Sequence, residues 1–165
     1  MPELIASGLV AYSLFALILL GVLARLAWID FKTYRLPNAL TLPLILIGLL
    51  QSNILSHSLI ASLIGAALGY GVFLAIELGF KSLRKIDGLG RGDAKLLAAG
   101  GAWCGWAGLP FIVLIASGAG LIYALLMPKE EDAALRKDTL IPFGPFLALA
   151  IALVWLAGAY VGLNT

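Results

Sequence analysis

Two of the nine acidic residues stand where long apolar runs begin or end, and they are the first candidates for chemistry. Asp30 closes the stretch Ala27-Trp28-Ile29-Asp30-Phe31, and Asp93 opens the stretch Gly92-Asp93-Ala94-Lys95. Carboxylates are costly beside membrane-length apolar segments and are functional candidates there by default. If the fold brings the two together, they cannot both ionise freely and tend to share one proton. The ionised member can then act as general base on a water, while the protonated member donates to a peptide carbonyl. That is the machinery of an aspartic protease, and it needs no metal and no cofactor. Two separate interfacial acids, each paired with a nearby Lys or Arg, would leave the same sequence pattern. Asp93 could equally serve the positive end of the helix it opens.

Gly88, Gly90 and Gly92 alternate just before Asp93. Glycine permits close backbone approach, so Gly90 and Gly92 are candidates for letting a substrate backbone lie against the carboxylate. A flexible turn is the plainer reading. Without a preceding strand the stretch is not a phosphate-binding loop. Among the other acids, Glu77 stands four residues before Lys81 and reads as half of an intrahelical ion pair. Asp87, in a basic loop, reads as solvated or paired, and so do Glu130, Glu131, Asp132 and Asp138, which are interspersed with Lys129, Arg136 and Lys137. The single His57 and single Cys104 build neither a metal site nor an internal disulfide.

The elements that must position these residues are membrane helices. Of 165 residues, 62% are hydrophobic and 12% charged, against about 45–50% and roughly 25% in a soluble domain. Disorder, collagen and a disulfide-stapled scaffold are excluded, and a net charge of +2 gives no footprint for nucleic acid. A spanning helix takes about 20 apolar residues. Charge-free runs extend over Leu4–Ala24, Leu36–Ile76, Leu96–Pro128 and Thr139–Thr165, and two of them are too long for one span. The parse is an all-α, polytopic bundle of about six transmembrane helices near 4–29, 37–54, 58–80, 93–106, 109–127 and 144–163, forming a single domain over 1–165. The first run is read as a retained helix, since its basic residues follow it and further spans come after.

All eleven basic residues then fall on one side: Arg25, Lys32 and Arg35; Lys81, Arg84, Lys85, Arg91 and Lys95; Lys129, Arg136 and Lys137. Under the positive-inside rule these loops are cytoplasmic and both termini face outward. Asp30 and Asp93 share the cytoplasmic border. Trp28, Trp103, Trp106 and Trp155 fall near helix ends, which suits interfacial anchoring. Gly65, Gly69, Gly71, Gly118 and Gly120 suit close helix packing. Pro142-Phe143-Gly144-Pro145 is expected to start the last helix and set its entry angle.

Three stretches together resemble the type IV prepilin peptidases, GxGD membrane aspartic proteases. They are Ile29-Asp30-Phe31 through Leu36-Pro37-Asn38-Ala39-Leu40-Thr41-Leu42-Pro43, Gly88-Leu89-Gly90-Arg91-Gly92-Asp93-Ala94-Lys95 through Trp103-Cys104-Gly105-Trp106, and Ile141-Pro142-Phe143-Gly144-Pro145-Phe146. The resemblance implies that Asp30 and Asp93 are the catalytic pair. It implies an endopeptidase of the bacterial inner membrane that removes a short basic leader from a type IV prepilin or pseudopilin on the cytoplasmic side, after a glycine. Its partners would be that substrate helix and membrane lipid. Many members also methylate the product and carry paired Cys-x-x-Cys motifs in an N-terminal region. The expectation here is peptidase without methyltransferase activity. Asn38 departs from the aspartate that many relatives carry after Leu-Pro. The alternatives are a small ion- or proton-coupled transporter, with Asp30, Glu77 and Asp93 as relay groups, and a related preflagellin-type peptidase.

Overall fold

The computed structural model describes residues 2–55, 58–84, 91–126 and 142–161. Among the described residues five helices follow one another: α1 (Pro2–Thr33), α2 (Asn38–Ile54), α3 (Leu59–Arg84), α4 (Arg91–Leu126) and α5 (Gly144–Val161). No strand occurs among the described residues. His57, Asp87, Gly88, Gly90, the acids at 130–132 and 138, and the bases at 129, 136 and 137 lie outside them, and so do the side chains of Glu77 and Lys81.

Five helices replace the six expected because the predicted fourth and fifth join into α4, interrupted by a single non-helical residue, Gly105, at φ 69° and ψ 175°. That conformation is open essentially only to glycine. The chain reverses there. A methyl group on Gly100 would lie 3.2 Å from Ile112 Cδ1, although twelve residues of straight helix would separate the two positions by about 18 Å. The second arm, 106–126, runs back until Gly120 meets Phe143 and Phe146 at the start of α5. The boundary expected between 106 and 109 is therefore a one-residue break, with no loop.

The first arm of α4 is the centre of the bundle. Leu96, Leu97, Ala98, Ala99, Ala102 and Trp103 are all buried, as a helix that is apolar on every face must be. α3, α5 and α2 pack around it, and α1 closes the bundle against α5. Its small residues set the spacing. A methyl group on Gly65 would strike the Gly101 carbonyl, and one on Gly69 would sit 2.6 Å from the Leu97 carbonyl oxygen. These two glycines, four apart, let α3 and α4 touch backbone to backbone, as small residues do between membrane helices. Gly71 and Gly118 meet nothing within 4 Å and have no such role.

The tryptophans divide. Trp28 and Trp106 are more than half exposed, but Trp103 and Trp155 are 2% and 1% exposed and cross edge to face at 5.7 Å in the core. The anchoring expected of those two is overturned. Trp103 can go inside because its indole N–H reaches the Leu44 carbonyl at 2.8 Å, which removes the penalty of a buried donor. Outside, the large apolar side chains of Leu17, Ile60, Leu114, Leu125 and Leu126 are 70–77% exposed. An apolar exterior around an apolar core is the surface of a membrane protein, and the stretches 10–33 and 91–126 are long and apolar enough to cross a bilayer.

Candidate active site

Asp30 lies in the last turn of α1 and is 5% exposed. Two neighbours fix it. Its carbonyl oxygen accepts the Tyr34 N–H at 2.8 Å. Its Oδ2 accepts the Gly144 N–H at 3.0 Å in a buried contact. α5 begins at Gly144, so the positive end of that helix points at the carboxylate. The absence of a side chain at Gly144 is what makes room: a Cβ there would lie 2.6 Å from Oδ2 and 2.8 Å from Cγ of Asp30. Sequence reasoning gave the Pro-Phe-Gly-Pro stretch the task of starting α5, which it does, and missed this contact. The only signal was a glycine at a helix start.

Asp93 sits in the first turn of α4, two residues inside a helix that starts at Arg91. A carboxylate in the first turn is favoured by the helix dipole. Both aspartates line one pocket of about 340 Å³, together with Tyr34, Arg35, Asn38, Arg91, Gly92 and Lys95. The two candidate acids, 63 positions apart in sequence, are thus brought together.

The connection from Tyr34 to Pro37 forms one wall of this pocket, and it is fastened to α4 at two points. A methyl group on Gly92 would lie 2.9 Å from Leu36 Cβ, so this glycine accommodates the chain's own leucine. Lys95 Nζ donates to Asn38 Oδ1 at 2.6 Å. Tyr34 itself is in the left-handed conformation, at φ 52°, the only non-glycine residue with positive φ among those described. It occupies the position after a helix that Gly or Asn usually takes, at a cost of about 1–2 kcal/mol for any other residue. Among the described residues no three His, Cys, Asp or Glu side chains gather as a metal site would need.

The sequence model of the type IV leader peptidase family matches residues 17–125. A prepilin leader peptidase/N-methyltransferase of Escherichia coli (strain K12) is 46% identical over 127 residues, covering 75% of this chain and 54% of that protein. Proteins of the same name from Aeromonas salmonicida (strain A449) and Burkholderia pseudomallei (strain 1026b) are 42% identical over 146 residues and 45% identical over 131. These alignments cover 87% and 79% of this chain, and 50% and 42% of those proteins. The chain spans about half the length of the curated relatives it matches. No solved structure matches. An all-helical membrane bundle whose matched segment contains both pocket aspartates, the chain belongs to the type IV leader peptidase family.

Proposed function

We propose that this chain is a membrane aspartic endopeptidase that removes the leader from a type IV prepilin or pseudopilin. The observation that carries the proposal is the convergence of Asp30 and Asp93 on one pocket. A water held between the carboxylates would attack the scissile carbonyl. Asp30 accepts the Gly144 N–H, and a hydrogen bond of that kind favours the ionised form. Asp30 is therefore the base, and the shared proton resides on Asp93. As the water oxygen bonds to carbon, its proton passes to Asp30, and Asp93 gives its proton to the carbonyl oxygen. Collapse of the tetrahedral intermediate returns the proton from the hydroxyl to Asp93, while Asp30 protonates the departing amine. The pair titrates as a unit.

The reading places this pocket at the cytoplasmic face of the bacterial inner membrane, with six spans, the two arms of α4 counted separately, and both termini outside the cytoplasm. Basic residues collect at the pocket, with Arg35, Arg91 and Lys95 lining it, as expected for the inner border of a bilayer. The substrate would be a membrane helix with a short basic leader, cut after the glycine that ends the leader. Gly90 is the candidate for the substrate's backbone, since the missing side chain of Gly92 faces Leu36. The relatives' printed name carries two activities, and this proposal assigns the peptidase to this chain and not the N-methyltransferase. The test is incubation of the vesicle-reconstituted chain with a purified prepilin, followed by mass measurement. A product shortened by the leader, its new N-terminus following the glycine, is expected. An intact prepilin, or a product of the wrong mass, would refute the proposal.

A further inference from the structure

We propose that Tyr34 determines specificity in this site: its ring bounds the space beside Asp30 in which the residue before the scissile bond lies, so that glycine fits and larger residues do not. The inference rests on the peptidase reading above and deepens it.

Tyr34 is a misfit where it stands. Ending α1 requires a backbone in the left-handed region and an N–H that closes onto the Asp30 carbonyl, and Tyr34 supplies both. Neither needs an aromatic ring, and Gly or Asn would do the same with less strain. Core packing does not call for the ring either, because Tyr34 is 53% exposed. What Tyr34 does is line the pocket that holds both aspartates. A strained residue persists only where its surroundings over-determine it, and such residues cluster at functional sites. Here the surroundings are visible. Upstream, the Tyr34 N–H is tied to Asp30. Downstream, Leu36 packs on Gly92 and Asn38 accepts the Lys95 ammonium. The wall is thus pinned at both ends to the two helices that carry the carboxylates, which fixes the backbone from which the Tyr34 side chain projects. A substrate backbone reaching the water between Asp30 and Asp93 passes an aromatic surface. A Cβ on the residue next to the cleaved carbonyl is the group that surface would meet.

The experiment crosses enzyme and substrate variants in vesicles of bacterial phospholipid. The substrates are a prepilin with glycine before the cut and its Gly→Ala and Gly→Val forms. The wild-type chain is expected to cut the first and reject the others. Tyr34→Asn, which tolerates positive φ, should narrow the ratio of glycine- to alanine-substrate cleavage rates roughly tenfold relative to wild type. Tyr34→Phe should keep the wild-type discrimination, since the ring remains. Tyr34→Gly is a second relaxed variant, expected to melt at a higher temperature than wild type and to lose selectivity as Tyr34→Asn does. Unchanged discrimination in both relaxed variants, with higher melting temperature alone, would mark Tyr34 as merely structural and overturn the inference. So would a loss of discrimination in Tyr34→Phe equal to that in Tyr34→Asn. Failure of the wild type to cut the glycine substrate would instead refute the peptidase reading, and the inference with it.

Discussion

Gly144→Ala is the perturbation whose consequence can be worked out most fully. Its Cβ would start 2.6 Å from Asp30 Oδ2, and ordinary contact begins at 3.4 Å, so the carboxyl must retreat by about 0.8 Å. Asp30 has no easy retreat, being 5% exposed at the end of a helix whose last bond it accepts. Moving away breaks the charge-assisted bond from the Gly144 N–H, which is worth roughly 1.5–3 kcal/mol. If that stabilisation is lost from the reacting arrangement, the rate falls roughly ten- to 150-fold. A misplacement of about 1 Å at a reacting group independently suggests about a hundredfold loss. The assay is initial-rate cleavage of a prepilin by reconstituted protein, with bilayer insertion checked in parallel. Gly118→Ala is the control: its Cβ meets nothing within 4 Å, and alanine in a helix should be neutral or favourable by about 0.5–1 kcal/mol. Cleavage by a well-inserted Gly144→Ala protein within threefold of the Gly118→Ala control would refute the reasoning that Gly144 exists to seat Asp30.

Three further outcomes follow from the packing. Gly101→Ala drives a methyl group into the Gly65 backbone and should destabilise by about 2–3 kcal/mol, seen as a lower melting temperature in detergent. Gly105→Ala meets only Ala61, at an ordinary 3.8 Å, but must adopt a φ of 69°; a cost of about 1–3 kcal/mol from backbone strain alone is expected. Trp103→Phe removes the indole bond to the Leu44 carbonyl and should cost about 1 kcal/mol in the same melting assay, with insertion unchanged.

The sequence is informative about this fold where the physics is coarse and cumulative. Apolar length placed the helices within a few residues, and the two acids at helix ends that it singled out line one pocket. It is silent where a single residue or a backbone group decides. The run from Leu96 to Pro128 is too long for one span, which placed a break between 106 and 109, but being apolar throughout it gives no sign that the single residue Gly105 makes the turn. Trp103 and Trp155 look like interfacial residues by position, and only the three-dimensional packing shows that the Leu44 carbonyl waits for one indole. Gly144 acts through its N–H, which no side-chain motif reveals. Gly92 read as an opening for substrate, yet its missing side chain faces Leu36. Tyr34 runs against residue preference altogether, since a tyrosine in the left-handed region is something no propensity would suggest.

The central claim is that hydrolysis depends on two acids acting as one. It is tested most directly by the initial rate of prepilin cleavage with Asp30→Asn and Asp93→Asn in reconstituted vesicles, each variant inserted at the wild-type level. Both substitutions keep the shape of the side chain and remove its ability to exchange the proton, so each alone should abolish leader removal. Near-normal cleavage by either variant would contradict the account.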